Sequence, residues 1–180
     1  GGFKGKNKSL VGLDLWIKLT DKGYLYGQFA TDGPSDQRYS YQAGIRWFDV
    51  IRKDIHVQVE YNAAQPFMYT NDPTKLAYKH SALPLAHPMG AYFNETVAIV
   101  DAGFGRVIGQ VKLVLATYHT DPSTNEVYGG SLDRPDLPVN GPVGPVMQEL
   151  TYMDVNTSYL LNPNTNLRLF IGVQRRGLTH

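Results

Sequence analysis

From Ile55 to Asn62 the chain alternates strictly. Ile55, Val57, Val59 and Tyr61 are apolar, and His56, Gln58, Glu60 and Asn62 between them are polar. Successive side chains of a β-strand point to opposite faces, so this pattern predicts a strand with one greasy face and one wet face. The same reading along the chain finds almost no helical periodicity and predicts about eight strands: 10–19, 24–31, 39–50, 55–62, 95–104, 106–118, 148–161 and 167–175. In the first, Val11, Leu13, Leu15, Ile17 and Leu19 oppose Gly12, Asp14, Trp16 and Lys18. In the last, Leu167, Leu169, Ile171 and Val173 oppose Arg168, Phe170, Gly172 and Gln174. The segment 95–104 alternates least clearly.

The connections alternate too. "DKG" at 21–23, "RKD" at 52–54, the turn near Gly105 and "NPNTN" at 162–166 are short, whereas 63–92 and 119–146 are long and rich in Pro and Gly. Short turns at one end and long loops at the other are the pattern of an up-and-down outer-membrane barrel. Strands of roughly 9 to 13 residues also suit a tilted membrane crossing, whereas soluble strands average about 5 or 6. The expected fold is therefore all-β: an antiparallel up-and-down transmembrane β-barrel, as a single domain over 1–180 or a contiguous portion of a larger one. A soluble β-sandwich shows the same alternation, with its apolar face as core and its polar face in bulk water.

Composition bears on this choice. Charged residues are 18% and aromatics 12%, with 12 Tyr; the former lies below the roughly 25% of an average soluble domain. The polar faces carry Trp16, Phe48, Phe170, several Gln and several Gly, which suits a crowded interior better than a free surface. Net charge is +1, and no basic run is present, so nucleic acid is not an expected partner. Cysteine is absent, which removes disulfides, thiol catalysis and Cys-based metal sites. No run of about 18 apolar residues predicts a membrane helix, a test that membrane barrels do not need to pass. The opening "GGFKGKNKSL" reads as loop, giving the expectation of a mature or internal piece.

Two groups of residues are candidate sites. In or beside the long loops lie Phe67, Tyr69, Tyr78, Tyr92 and Tyr128, with His80 and His87 seven residues apart. Aromatic platforms bind sugars and partner proteins; packing of the loop on itself is the competing reading. On the polar faces lie Asp14, Lys18, Arg46, His56, Glu60, Lys112 and Arg168, which form either a selective pore lining or an ion-pair network bracing the interior. Chemistry is weakly signalled. Glu60 and Glu95 flank the long loop and are the one carboxylate pair in reach of glycoside hydrolysis. No nucleophile elbow, zinc-protease motif or phosphate loop occurs. The two histidines lack a third ligand, and Asp121, Asn125, Asp133 and Asp136 do not have calcium-loop spacing. No catalytic residue, metal or cofactor is expected.

The run "VQVEYNAAQPFMYT", followed by "YKHSALPLAHPMGAYFNE", resembles outer-membrane proteins of the capsule-assembly (Wzi-like) superfamily, and more closely their gliding-motility-associated relatives. The shared pattern is a strand ending in "EYN", an aromatic and proline loop, then Tyr78, His80, Leu85, Ala86, His87, Pro88, Gly90, Ala91 and Phe93 leading into the next strand. "DLWIKLTDKG" and "LYGQF" fit it as well. The resemblance implies a bacterial outer-membrane location and a non-enzymatic role at the cell surface. That role is handling surface polysaccharide or supporting adhesin-driven motility. Its implied partners are membrane lipid, surface polysaccharide and other outer-membrane or surface proteins. Eight strands are fewer than the family's barrel, and the chain ends "RRGLTH" without a terminal aromatic, which makes a segment of a larger barrel the expectation. A passive outer-membrane pore and a soluble carbohydrate-binding sandwich are the alternatives.

Overall fold

A computed structural model describes residues 10–32, 38–70, 87–122, 127–131 and 144–180, together with the backbone of 79–80 and 83–84. Among the described residues ten strands follow one another: β1 (Val11–Thr20), β2 (Gly23–Thr31), β3 (Tyr39–Trp47), β4 (Ile55–Ala64), β5 (Lys79–His80), β6 (Leu83–Pro84), β7 (Phe93–Phe104), β8 (Val107–Thr120), β9 (Val146–Asn162) and β10 (Leu167–Thr179). Eight of them form one antiparallel sheet in the order β1-β2-β3-β4-β7-β8-β9-β10, every strand beside its neighbour in sequence. β5 and β6 make a separate two-stranded ribbon inside the first long loop. The sheet is not closed; β1 and β10 are its edges. No helix occurs among the described residues.

All eight expected strands are present, and their faces match the alternation. Cross-strand register carries the apolar set through the sheet: Leu15 faces Gly27, Gly27 faces Ala43, Ala43 faces Tyr61. Val111 faces Val100 on one side and Val155 on the other, and Val155 faces Val173. Polar positions form the alternate rows, such as Asp14, Gln28, Gln42, Asn62 and Glu95. Most boundaries shift by one or two residues, and two differ by more. β3 stops at Trp47 rather than continuing to Val50, because Asp49 and Asp54 take left-handed backbone conformations (φ 53° and 66°). The Asp49 carboxylate then accepts the Asp54 amide at 2.9 Å, closing the turn. β10 runs on past Arg175 to Thr179, because β9 is 17 residues long and pairs each added residue.

Burial is inverted relative to a soluble sheet. The buried residues of the central strands (Ser40, Asn62, Ala64, Phe93, Glu95, Val97, Val114 and Ala116) all belong to the polar rows. The apolar rows stay bare: Leu13 is 69% exposed, Leu15 57%, Ile171 67% and Val173 66%. β7 alternates poorly in sequence because Val97 sits in a polar row, buried beside Val114, where the sheet is covered. On the same face the first long loop covers Ala64 and Phe93. Met68, fully buried, packs with Ala64, Ala91 and Phe93, and Ala30, Tyr69, Met89 and Tyr118 close around them.

Met68→Ala should destabilise the fold by about 2–5 kcal/mol, the usual cost of truncating a fully buried long side chain. Equilibrium unfolding measures it; a loss below about 1 kcal/mol, the scale of a surface substitution, would mean that the loop is not packed on the sheet.

Candidate functional site

The polar face carries a chain of hydrogen bonds that crosses three strands. Tyr26 on β2 donates its hydroxyl to Glu60 Oε2 on β4 at 2.6 Å, and Gln58 Nε2 donates to the Tyr26 oxygen at 2.8 Å. Asn62 Nδ2 donates to Glu60 Oε1 at 2.8 Å and to Glu95 Oε2 on β7 at 3.0 Å. His87 Nε2, from the end of the long loop, lies 3.0 Å from the same Glu95 oxygen, its ring stacked on Phe93 at 4.3 Å. One amide thus ties both carboxylates, and a loop histidine completes the second. Buried carboxylates require such partners, since an unpaired one costs several kcal/mol.

Gly44 makes the crossing possible. It lies between Tyr26 and Glu60 in the register, facing both. Tyr26 reaches over it to its carboxylate, and a methyl group there would overlap the phenol ring. A glycine inside a strand commonly marks such a close approach.

Above this network the loop is held by its own bonds. Residues 65–70 make a tight reversal with Phe67 and Tyr69 at positive φ (61° and 69°). Met68 N donates to Gln65 O at 3.2 Å and Thr70 Oγ1 to Phe67 O at 2.6 Å. Arg38 donates to Phe67 O at 3.2 Å, with its guanidinium 5.3 Å from the Phe67 ring centre. The Tyr69 hydroxyl meets Ser40 Oγ on β3. A pocket of about 120 Å³ remains between loop and sheet, its polar lining drawn from Gln28, Ser40, Gln42, Asn62, Tyr69 and His87. Amides, hydroxyls and rings suit a neutral, hydrogen-bonding group better than a charged one.

The loop residues singled out by sequence are thereby placed as follows. Phe67, Tyr69 and His87 belong to this cap. Tyr92 stacks on His119 at 3.9 Å. The Tyr128 amide donates to Asp121 Oδ1 at 2.7 Å and its hydroxyl accepts from Gly144 N at 3.0 Å. Tyr78 lies outside the described residues, as does the side chain of His80. The polar-face residues do not form one network. Glu60 is its centre. Arg46 lies over the Phe48 ring at 5.4 Å, and His56 meets the same ring edge-on at 5.1 Å. Lys112 faces Asp154 across β8 and β9, and Asp14 faces Gln28. Lys18 pairs with Asp21 at 2.6 Å in the exposed first turn, and Arg168 donates to Asn166 at 3.0 Å in the last. Tyr26, Gln58 and Asn62 escaped sequence reasoning as site residues; Gly44 was the signal that could have found Tyr26. Among the described residues no group of three His, Asp or Glu side chains is placed to hold a metal ion.

Asn62→Ala should leave Glu60 and Glu95 without their shared donor, costing about 1–3 kcal/mol. Gly44→Ala should displace the Tyr26 ring and lose a similar amount, while Tyr26→Phe/Gly44→Ala should lose little more than Gly44→Ala alone. Denaturation midpoints of the three variants check this; additive losses would show that Gly44 does not serve Tyr26.

No protein-family model, no curated protein and no solved structure matches the chain.

Proposed function

We propose that this chain forms the wall of a non-enzymatic outer-membrane β-barrel at the bacterial surface, with lipid on its apolar face and surface polysaccharide or a partner protein bound at its long loops. One observation carries the reading: the apolar face is bare, and the buried residues of the central strands lie on the polar face. A soluble sandwich needs a second layer on the apolar face, and none is found among the described residues. Contiguous exposed apolar surface of this extent marks an interaction with membrane or protein. Charge follows the same division. On the apolar face of the sheet the charged residues are Glu149 and Arg175, both in the halves of β9 and β10 nearest the long loops.

Aromatic rings border this face at both heights. Toward the long loops Phe29, Tyr39, Tyr41 and Tyr61 form a chain with centroid separations of 6.1, 6.4 and 5.9 Å. Toward the tight turns stand Trp47, Phe104 and Tyr159, with Arg52 4.4 Å from the Phe104 ring centre. Paired aromatic girdles of this kind sit at membrane interfaces. Tyr39 to Trp47 spans about 26 Å along the strand at about 3.3 Å per residue, or about 20 Å of membrane depth at a tilt of about 40°, against an apolar band of about 25 Å in such barrels.

The open edges fit a segment of a larger barrel. β1 and β10 expose bulky groups on both faces: Leu15 and Trp16 on one strand, Phe170 and Ile171 on the other. Long apolar edges invite pairing, and barrel closure removes them; further strands would complete the wall between β10 and β1. Ligand binding is assigned to the loop end on two grounds, the resemblance to capsule-assembly proteins and the amide- and ring-lined pocket there. The absence of catalysis is supported by Glu60 and Glu95, the carboxylate pair singled out from the sequence, each being held by side-chain donors of the network rather than presented to a substrate.

The full-length protein should fractionate with the outer membrane and require detergent for extraction. Val57→Arg should destabilise it by about 2–4 kcal/mol if that position lies near the bilayer midplane. Recovery of monodisperse, folded protein in plain buffer would end the reading. Cysteines introduced at Pro88 and Lys53 should behave oppositely toward a membrane-impermeant reagent on intact cells, with Pro88→Cys labelled and Lys53→Cys protected; the reverse result would invert the topology.

A further inference from the structure

We propose that the two long loops interlock into a single latch that closes the polar face from the loop end, with Gly129 and Gly130 as its fastening. The segment 127–131 of the second loop runs against both ends of the first. Phe67 N donates to Gly129 O at 2.8 Å, and Ala91 N donates to Gly130 O at 3.3 Å. Between these bonds Ala91 is 0% and Val127 3% exposed. Neither glycine has room for a side chain. Gly129 sits at φ 90°, and a Cβ there would strike the Phe67 ring and amide; a Cβ at Gly130 would overlap the His119 carbonyl, which belongs to backbone and cannot swing aside. His119 in turn receives the other side of the loop, its amide donating to Tyr92 O at 3.1 Å. The first loop is thus clamped between the sheet below and the glycine segment beside it.

The clamp has a direction. Beneath it, Ser40, Asn62 and Glu95 are buried, whereas Arg46, Gln58 and Asp101, farther toward the tight turns on the same strands, remain partly exposed. The polar face is thus covered at the loop end and more exposed toward the tight turns. Release of the segment 127–131 from Phe67 and Ala91 would let the loop lift and uncover Gln42, Asn62, Glu95 and the pocket above them. Such a device makes the protein a gated wall rather than a standing pore. Which end counts as the outside rests on the outer-membrane reading; the latch itself does not.

The absence of native cysteine allows a direct test. Ala64→Cys places a buried thiol under Met68, and Pro88→Cys an exposed one on the same loop. In the purified full-length protein, the buried thiol should react with a water-soluble thiol reagent at least about tenfold more slowly than the exposed one. Adding Gly130→Ala to the Ala64→Cys variant should raise its rate by about tenfold, the scale of losing a contact worth one or two kcal/mol in a local opening, while an unchanged β-sheet circular-dichroism spectrum shows the sheet still folded. If Gly130→Ala does not fold, Val127→Ala gives the same readout with a smaller rise. A thiol under Met68 that reacts as fast as the exposed one, or that stays equally protected in the latch variants, would overturn the proposal. Labelling of the Pro88→Cys variant on intact cells reports the topology separately, so failure of the membrane reading and failure of the latch give different results.

Discussion

Backbone pairing in a sheet leaves each side chain only two directions, and the alternation of this chain sends its apolar residues one way over eight strands. The protein supplies no layer to cover that face among its described residues. Hydrophobic burial at roughly 25 cal/mol per Å² is the main favourable term in folding, so a large bare apolar face is untenable in water and must be removed from it by something outside the sheet. In the proposed reading that partner is lipid, whose acyl chains demand only that the face be uncharged and that no backbone group be left unpaired. The described strands satisfy the first demand through most of their length, and the ladder satisfies the second everywhere except at the two edges.

In that reading the polar face becomes the interior, and the contacts observed on it are those that make polar groups acceptable there. Glu60 and Glu95 are held by Tyr26, Asn62 and His87. The phenol gets there because Gly44 gives up its side chain. Higher on the same face the strands turn apolar, with Ala64, Phe93, Val97 and Val114, and the long loop brings Met68 down onto Ala64 and Phe93. The same loop contributes His87 to the network and, through Phe67 and Ala91, joins the second loop. Packing, charge satisfaction and closure are therefore carried by one segment, which explains why so much aromatic and apolar character is spent on a connection far longer than a hairpin requires.

Strands and faces were legible in the sequence because period-two alternation is a direct consequence of backbone geometry. The long loops were legible through their Pro and Gly content, and the order of short and long connections already sorted them to opposite ends. Less legible was anything that depends on which side chains meet across the strands. Glu60 stood out as a charge, but its partner Tyr26 is 34 residues away, and nothing local links them. The early end of β3 came from aspartates adopting left-handed backbone conformations, a choice made by side-chain bonding rather than by hydrophobic pattern. β7 read poorly because Val97 stands in its polar row, buried beside Val114, so both of its faces are apolar at that height. The meeting of Gly129 and Gly130 with Phe67 and Ala91 joins two loops whose composition signals only irregularity.

The central claim is that the apolar face meets lipid and the polar face does not. A spin-label accessibility scan along β4 in membranes tests it most directly, with single cysteines from Ile55 to Asn62 compared for collision with oxygen, which concentrates in the bilayer, and with a water-soluble nickel chelate. The account predicts a period of two, with oxygen favoured at Val57, Val59 and Tyr61 and low contact with oxygen at Gln58, Glu60 and Asn62. Chelate access at Val57 and Val59 equal to that of an exposed turn residue such as Lys53 would contradict it.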